Sequence, residues 1–113
     1  MSVPFLPQRP VVTSYPKMPE AFREAKAIAD YLSVKGLQTP FGSLYDETLR
    51  KRVRNGEFDV LVAVGGDGTV LRAGHLCAPS GVPILGINLG RLGFLIQVER
   101  SDWPAMLDRL LAG

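Results

Sequence analysis

The feature that most constrains the fold is a short apolar run that stops at two adjacent glycines. Residues 59–64 (DVLVAV) are almost wholly apolar and β-branched, which is typical of a strand buried on both faces of a parallel sheet. The run is followed by residues 65–69 (GGDGT) and then by a helical pattern. A glycine-rich turn between a strand and a helix presents backbone N–H groups that can bind a phosphate. The sequence therefore predicts a phosphate-binding turn at residues 65–68.

This turn differs from the common phosphate-binding loops. A Walker-type loop requires a lysine that reaches the terminal phosphates, and the chain has no lysine after Lys51. The dinucleotide fingerprint G-x-G-x-x-G is only half met, by Gly66 and Gly68, because its third small position holds Leu71. Asn88 stands about 20 residues further on, where the fingerprint expects an acidic residue. The Walker-type loop is therefore excluded, and the dinucleotide fingerprint is only weakly supported.

The acidic residue within the turn, Asp67, suggests a catalytic role. Asp67 would repel a phosphate unless it binds a metal ion or a hydroxyl group, and an acceptor hydroxyl that attacks a phosphoryl group is such a partner. Asp67 is therefore a candidate general base. The alternative is that the Gly-Asp-Gly sequence only shapes the turn, since these residues are common in turns.

Length and composition define the class of protein. With 113 residues, 46% of them apolar and 21% charged, the chain is predicted to be one soluble domain, or part of a larger protein. A net charge of +2 does not support a nucleic-acid partner, and no apolar stretch approaches the ~20 residues of a membrane span. The N-terminus lacks a signal-peptide pattern, and the single cysteine, Cys77, fits a reducing compartment. We expect a cytoplasmic protein with neither a membrane nor a nucleic-acid partner. The chain has one His and one Cys, and these two side chains alone cannot form a metal site.

The order of predicted elements indicates an α/β domain. After an irregular arm at residues 1–10, strands are predicted at 11–14, 38–43, 58–64 and 82–87. Helices are predicted at 19–35, 46–54, 69–77 and from about 101 to the end of the chain. This alternation predicts a three-layer α/β domain with a mostly parallel sheet. The glycine-rich stretches 65–68 and 86–93 would then share the carboxyl edge of the sheet and form one cleft.

Two motifs together resemble a known family. GGDGT at 65–69, followed by GINLGRLGFL at 86–95, closely resembles the N-terminal domain of NAD kinases, and the domain at 11–113 is identified as such. GGDGT alone is shared with diacylglycerol and sphingosine kinases. The second motif makes the resemblance specific, because the Gly-Thr-Gly-Asn-Asp pattern of lipid kinases is absent. Two alternatives stay open, a lipid kinase domain of the diacylglycerol type and a non-catalytic nucleotide-binding module.

The resemblance implies a phosphotransferase. NAD kinases transfer the terminal phosphate of ATP, or of polyphosphate in some members, to the 2′-hydroxyl of the adenosine ribose of NAD, which yields NADP. They use a divalent metal, commonly Mg²⁺. In the family a second, mainly β domain follows and completes the cleft and the oligomer, so the full-length protein is expected to be a homodimer or homotetramer. This chain ends where that domain would begin, and alone it is expected to be inactive because positioning supplies much of the catalysis.

The resemblance also implies roles for individual residues. Asp67 matches the catalytic base that takes the proton from the ribose hydroxyl. The positions expected to bind the nucleotides are Gly66, Gly68, Thr69, Arg72, Asn88 and Phe94. Arg72 would contact the dinucleotide or its phosphates, and Phe94 would line the adenine side. Arg91 has no assigned role.

Each of these assignments has a structural alternative. Thr69 is also expected to cap the helix that follows the turn. Phe94 would otherwise be a core residue, Arg72 an exposed ion-pair partner and Asn88 a turn residue. The presence of Asp67 argues against a pure binding module, because binding alone favours a neutral residue beside phosphates.

Overall fold

The computed structural model of the chain describes residues 8–89, 98–99 and 103–112, and within them it contains five strands and four helices. The strands are β1 (Pro10–Ser14), β2 (Phe41–Ser43), β3 (Val60–Gly65), β4 (Ile84–Asn88) and β5 (Val98–Glu99). The helices are α1 (Pro19–Val34), α2 (Glu47–Arg54), α3 (Asp67–Cys77) and α4 (Trp103–Ala112). None of the helices in the described ranges has both the length and the hydrophobicity that a membrane crossing requires.

The strands form one parallel sheet in the order β2-β1-β3-β4-β5. β1 pairs with β2 on one side and with β3 on the other, so the direction in which strands are added reverses between β1 and β3. In open α/β sheets this reversal leaves a crevice beyond the carboxyl ends of the two strands, and ligands bind there. The prediction of an α/β domain with a mostly parallel sheet is confirmed.

Helices cover both faces of the sheet. Side chains of successive strand residues point to opposite faces of the sheet, so β1 and β3 each contribute side chains to two cores, one on each face. One core joins α1 and α4 to the sheet through Val12, Ala25, Ile28, Leu32, Val62, Val64, Ile87, Trp103 and Leu107. The other joins α2 and α3 to it through Val11, Leu49, Val53, Leu61, Ala63, Ala73, Leu76 and Cys77. Burial on both faces explains why β3 is an unbroken apolar run in the sequence.

Two helices end at glycines where the sequence predicts. At the end of α1, Gly36 has φ 90° and the Leu37 amide donates to the Leu32 carbonyl at 3.0 Å. At the end of α2, Gly56 has φ 74° and the Glu57 amide donates to the Arg52 carbonyl at 3.1 Å. Both are Schellman motifs, in which glycine adopts the left-handed conformation that other residues disfavour.

Several element boundaries differ from the prediction. β3 begins at Val60 instead of near residue 58. Just before it, the Asp59 carboxylate accepts the amides of Gln8 and Arg9 at 2.7 and 3.0 Å. β2 spans 41–43 instead of 38–43, and the two-residue β5 was not predicted, since so short a strand carries no periodicity. Residues 1–7 of the predicted arm lie outside the described residues, as do residues 101–102 at the predicted start of the last helix.

Candidate active site at the crevice between β1 and β3

A cleft of about 220 Å³ lies where the sheet reverses its strand order. The residues that line it are Tyr15, Met18, Gly66, Gly68, Thr69 and Arg72. The first two follow β1 and the others follow β3, so the cleft lies between the carboxyl ends of these strands. The Tyr15 amide donates to the Val64 carbonyl at 3.1 Å, which holds the segment after β1 against the end of β3. The cleft therefore occupies the position at which sheets of this topology bind ligands.

A larger cavity of about 380 Å³ lies at the opposite edge of the sheet. Its lining includes Arg9, Pro40 and Phe58, which lie before or at the starts of β1, β2 and β3. The Arg52 guanidinium beside it is bonded to the Glu57 carboxylate, with Nε 2.9 Å from Oε1, and it stacks over the Phe58 ring at 4.8 Å. Since parallel sheets bind ligands beyond their carboxyl ends, the smaller cleft is the candidate site.

The helix after the glycine turn begins earlier than the sequence predicts. α3 starts at Asp67, and Gly66 is its N-cap residue, in an extended conformation (φ −101°, ψ −169°) with no side-chain cap. The expectation that Thr69 caps the helix is wrong, because Thr69 is the third helical residue and only 4% of it is exposed. The amides of Asp67 and Gly68 precede the first turn of helical hydrogen bonds, which is where helix N-termini bind anions.

Packing between Gly65 and Thr69 shapes the turn. A Cβ atom on Gly65 would lie 2.4 Å from Oγ1 and 2.9 Å from Cβ of Thr69, closer than atoms can approach. Gly65 therefore lets the first turn of α3 fold back over the end of β3. At Gly66 and Gly68 the position of a Cβ is open, with no atom within 4 Å. These two glycines line the cleft and leave open space beside the backbone of the turn.

Asp67 is placed beside the cleft and not in its lining. It lies between Gly66 and Gly68, which both line the cleft, and it is half-buried at the first position of α3. An acidic residue in the first turn of a helix is favoured by the helix macrodipole whatever its function. The geometry therefore places a carboxylate in the glycine turn beside the cleft, and it is compatible with both a catalytic and a structural role for Asp67.

Arg72 reaches the cleft from the second turn of α3. Its Nη1 donates to the hydroxyl of Tyr45, and its Cζ lies 5.2 Å from the centroid of the Tyr45 ring. Among the described residues it takes part in no ion pair, so the ion-pair alternative finds no partner there. Leu71, the third position of the dinucleotide fingerprint, is 55% exposed. It therefore does not make the close helix–strand contact for which that fingerprint needs a small residue.

Comparison with known proteins decides the family. The family model described as the ATP-NAD kinase N-terminal domain matches residues 10–113. The chain belongs to the NAD kinase family. It is 41% identical over 105 residues to the NAD kinase of Heliobacterium modesticaldum, a match that covers 84% of this chain and 36% of the relative. It is 36% identical over 125 residues to the NAD kinase of Treponema pallidum, covering all of this chain and 40% of the relative. The chain thus spans well under half the length of these curated relatives.

The second motif of this NAD kinase domain begins directly beside the glycine turn. Asn88, the last residue of β4, is in register with Gly65 of β3, and the Leu89 amide donates to the Gly65 carbonyl at 3.1 Å. The backbone of the second motif therefore starts at the same edge of the sheet as the first. The side chain of Asn88 lies outside what the structure describes, as do Arg91 and Phe94 altogether. The expected roles of Asn88 and Phe94 stay predictions, and Arg91 stays without an assigned role.

Three residues near the cleft were not predicted from the sequence. Tyr15 and Met18 line it from the β1 side, and Tyr45 contacts Arg72 from the segment after β2. Each follows the carboxyl end of a strand, which is the only signal that the sequence offers for them. Position after a strand identifies cleft residues only when the strand order is known, because the order shows which of these segments meet at the crevice.

Proposed function

We propose that the whole protein that carries this chain is a NAD kinase, which transfers the terminal phosphate of ATP or polyphosphate to the 2′-hydroxyl of the adenosine ribose of NAD. The product is NADP. One observation carries the proposal: in a chain of the NAD kinase family, a glycine turn with the acidic residue Asp67 borders the ligand crevice between β1 and β3. Since the chain spans 36% of the Heliobacterium relative, the proposal concerns the longest natural form of the gene product.

In the proposed reaction Asp67 is the general base. A bond forms between the ribose 2′-oxygen and the terminal phosphorus, while the bond from that phosphorus to the leaving oxygen of ADP or polyphosphate breaks. The proton of the 2′-hydroxyl passes to the Asp67 carboxylate. The open space at Gly66 and Gly68 lets a nucleotide approach the backbone, and the guanidinium of Arg72 binds a phosphate group.

Magnesium is proposed to arrive with the nucleotide. Proteins usually bind Mg²⁺ through one or two carboxylates together with substrate phosphates. Within the ranges that the structure describes, no group of three or more His, Cys, Asp or Glu side chains could hold a metal ion. We therefore treat the ion as part of the ATP substrate, where it would neutralise charge on the phosphates, and Asp67 as the carboxylate of the turn that could contact it.

The test is NADP formation from NAD, ATP and Mg²⁺ by the longest natural form of the gene product. We expect turnover there and none from this chain alone, because half a cleft cannot position two nucleotides. Binding of NAD without turnover in the longer form would favour a nucleotide-binding module, and phosphorylation of diacylglycerol instead of NAD would favour a lipid kinase.

Replacement of Asp67 tests the mechanism. Asp67→Asn keeps the shape of the side chain and removes the base, so kcat should fall by about 10²–10⁴-fold while NAD still binds. The matched control is Asp30→Asn, since Asp30 is exposed on α1 and paired with Lys26 at 3.0 Å. Turnover of Asp67→Asn near the parent level would show that Asp67 is not the base.

A further inference from the structure

Arg72 is held in place by a tyrosine that does not itself line the cleft. The Arg72 guanidinium donates from Nη1 to the Tyr45 hydroxyl and lies over the Tyr45 ring, with Cζ 5.2 Å from its centroid. A cation within about 6 Å of an aromatic centroid is attracted to the ring face. An exposed arginine on a helix otherwise populates many rotamers, and a ligand that needs one of them must order the side chain on binding.

Tyr45 is fixed on its other side by the sheet. Its ring packs edge-on against Tyr15, with centroids 6.5 Å apart and planes at 70°. Its amide donates to Ser43 Oγ at 3.0 Å, and the neighbouring Leu44 amide donates to the Ser14 carbonyl at 2.9 Å. These contacts attach Tyr45 to the carboxyl ends of β1 and β2, the strands beside the crevice.

The contacts form a continuous path from the sheet to the cleft. Tyr15 is bound to β3 through its amide, Tyr45 packs on Tyr15, and Arg72 is bonded to Tyr45. Tyr15 and Arg72 both line the cleft, at separate places in the sequence. A guanidinium has several N–H donors, so one bond to Tyr45 leaves others for a ligand.

We propose that Tyr45 is a positioning residue: it fixes the Arg72 guanidinium at the cleft so that it is ready to bind a phosphate group. The identity of the ligand as a nucleotide rests on the proposed function. The phosphate belongs either to the donor ATP or to the dinucleotide NAD, which present the same chemistry to Arg72. By ordering Arg72 before the ligand arrives, Tyr45 lowers the entropic cost of binding.

The proposal is tested by a double-mutant cycle in the longest natural form of the gene product. Tyr45→Phe removes the hydroxyl that Arg72 bonds and keeps the ring. We expect it to raise the KM of one nucleotide by about 3- to 10-fold, the loss of one such hydrogen bond, with kcat within about twofold of the parent. The nucleotide whose KM rises, ATP or NAD, identifies the source of the phosphate.

The decisive comparison is the same substitution without Arg72. In an Arg72→Ala background, Tyr45→Phe should change neither KM further, because a positioning residue acts only through its partner. Equal effects in both backgrounds, or an unchanged KM in the single variant, would overturn the proposal. Tyr31→Phe is the control, since it also removes a bonded tyrosine hydroxyl, here one that donates to Asp108 outside the cleft lining, and it should leave both KM values unchanged.

Stability and ligand binding are measured separately for Tyr45→Phe. The denaturation midpoints of the parent and Tyr45→Phe should agree, and a KM effect that merely follows lost stability would overturn the positioning role. If the parent makes no NADP, the proposed function fails, and the proposal is tested by calorimetric binding of inorganic tripolyphosphate. Tyr45→Phe should then bind it about 3- to 10-fold more weakly than the parent, with no such difference in the Arg72→Ala background. Equal affinities of parent and Tyr45→Phe would overturn it.

Discussion

At the scale of single residues, the three glycines of the turn have different physical roles. Gly65 is required by contact, because a Cβ there would overlap the side chain of Thr69. Gly66 and Gly68 line the cleft, and a Cβ at either position would meet no atom of the protein. Substitution of Gly65 should therefore affect stability, and substitution of Gly68 should affect ligand binding more than stability.

The first prediction concerns Gly65. Gly65→Ala should lower the free energy of unfolding by about 1–3 kcal/mol, the usual cost of overpacking a well-packed region. Urea unfolding followed by circular dichroism measures the change. Gly68→Ala is the matched control and should be neutral or slightly stabilising, because alanine is the better helix former. Thr69→Ala should restore part of the stability of Gly65→Ala, since it removes Oγ1, the nearest atom. Equal stability of the two alanine variants would contradict this account.

At the scale of elements, α2 depends on its N-cap. The Asp46 carboxylate accepts the amides of Thr48 and Leu49 at 2.8 and 3.2 Å. We predict that Asp46→Ala costs about 1 kcal/mol of unfolding free energy, since two first-turn amides lose their acceptor. Asp46→Asn keeps a side-chain oxygen and should cost only a few tenths of that. The two denaturant midpoints measure the difference, and if they coincide the cap contributes nothing.

The basic side chains of α2 lie next to acidic ones. Arg50, Arg52 and Arg54 pair with acidic neighbours. Arg54 Nη1 lies 3.1 Å from Glu47 Oε1, and Arg52 Nε lies 2.9 Å from Glu57 Oε1. Exposed pairs of this kind add little stability each. They do, however, place opposite charge beside these basic side chains, and we interpret this face as a solvated surface.

At the scale of the whole molecule, the single buried thiol makes the stability of the fold depend on pH. Cys77, the last residue of α3, is 1% exposed, and burial raises its pKa from 9.0 to about 11. The folded state therefore holds the thiol proton at pH values where the unfolded chain has released it. Between pH 9 and 11 the unfolded state binds fewer protons than the folded state, so this group makes stability fall as the pH rises.

We predict that this pH dependence disappears with the thiol. Unfolding free energies from urea titrations at pH 8, 9, 10 and 11 should fall more steeply for the parent than for Cys77→Ala. The absolute stability of the variant is lower because of the lost side-chain volume, so the slopes are compared and not the values. Parallel slopes would show that the thiol ionises equally in the folded and unfolded states.

Local sequence determined much of the secondary structure. The bounds of α1, the double burial of β3 and the glycine ends of α1 and α2 follow from periodicity and from the conformations that single residues allow. The same local information missed the start of α3, because Thr69 is a good capping residue by type. In the structure the N-cap is Gly66, and Thr69 packs inside the first turn of the helix against Gly65, a contact that local sequence does not reveal.

By itself the sequence determined that this is an α/β domain of the NAD kinase family with an acidic glycine turn after a buried strand, since those signals lie within a few residues of one another. Only the tertiary structure decided that the strands run β2-β1-β3-β4-β5, and hence that the turn faces the segments after β1 and β2. Tyr45 and Arg72 are 27 residues apart, and no local pattern relates them. They meet because parallel strands carry their following segments to one edge of the sheet, and the strand order alone selects which segments become neighbours.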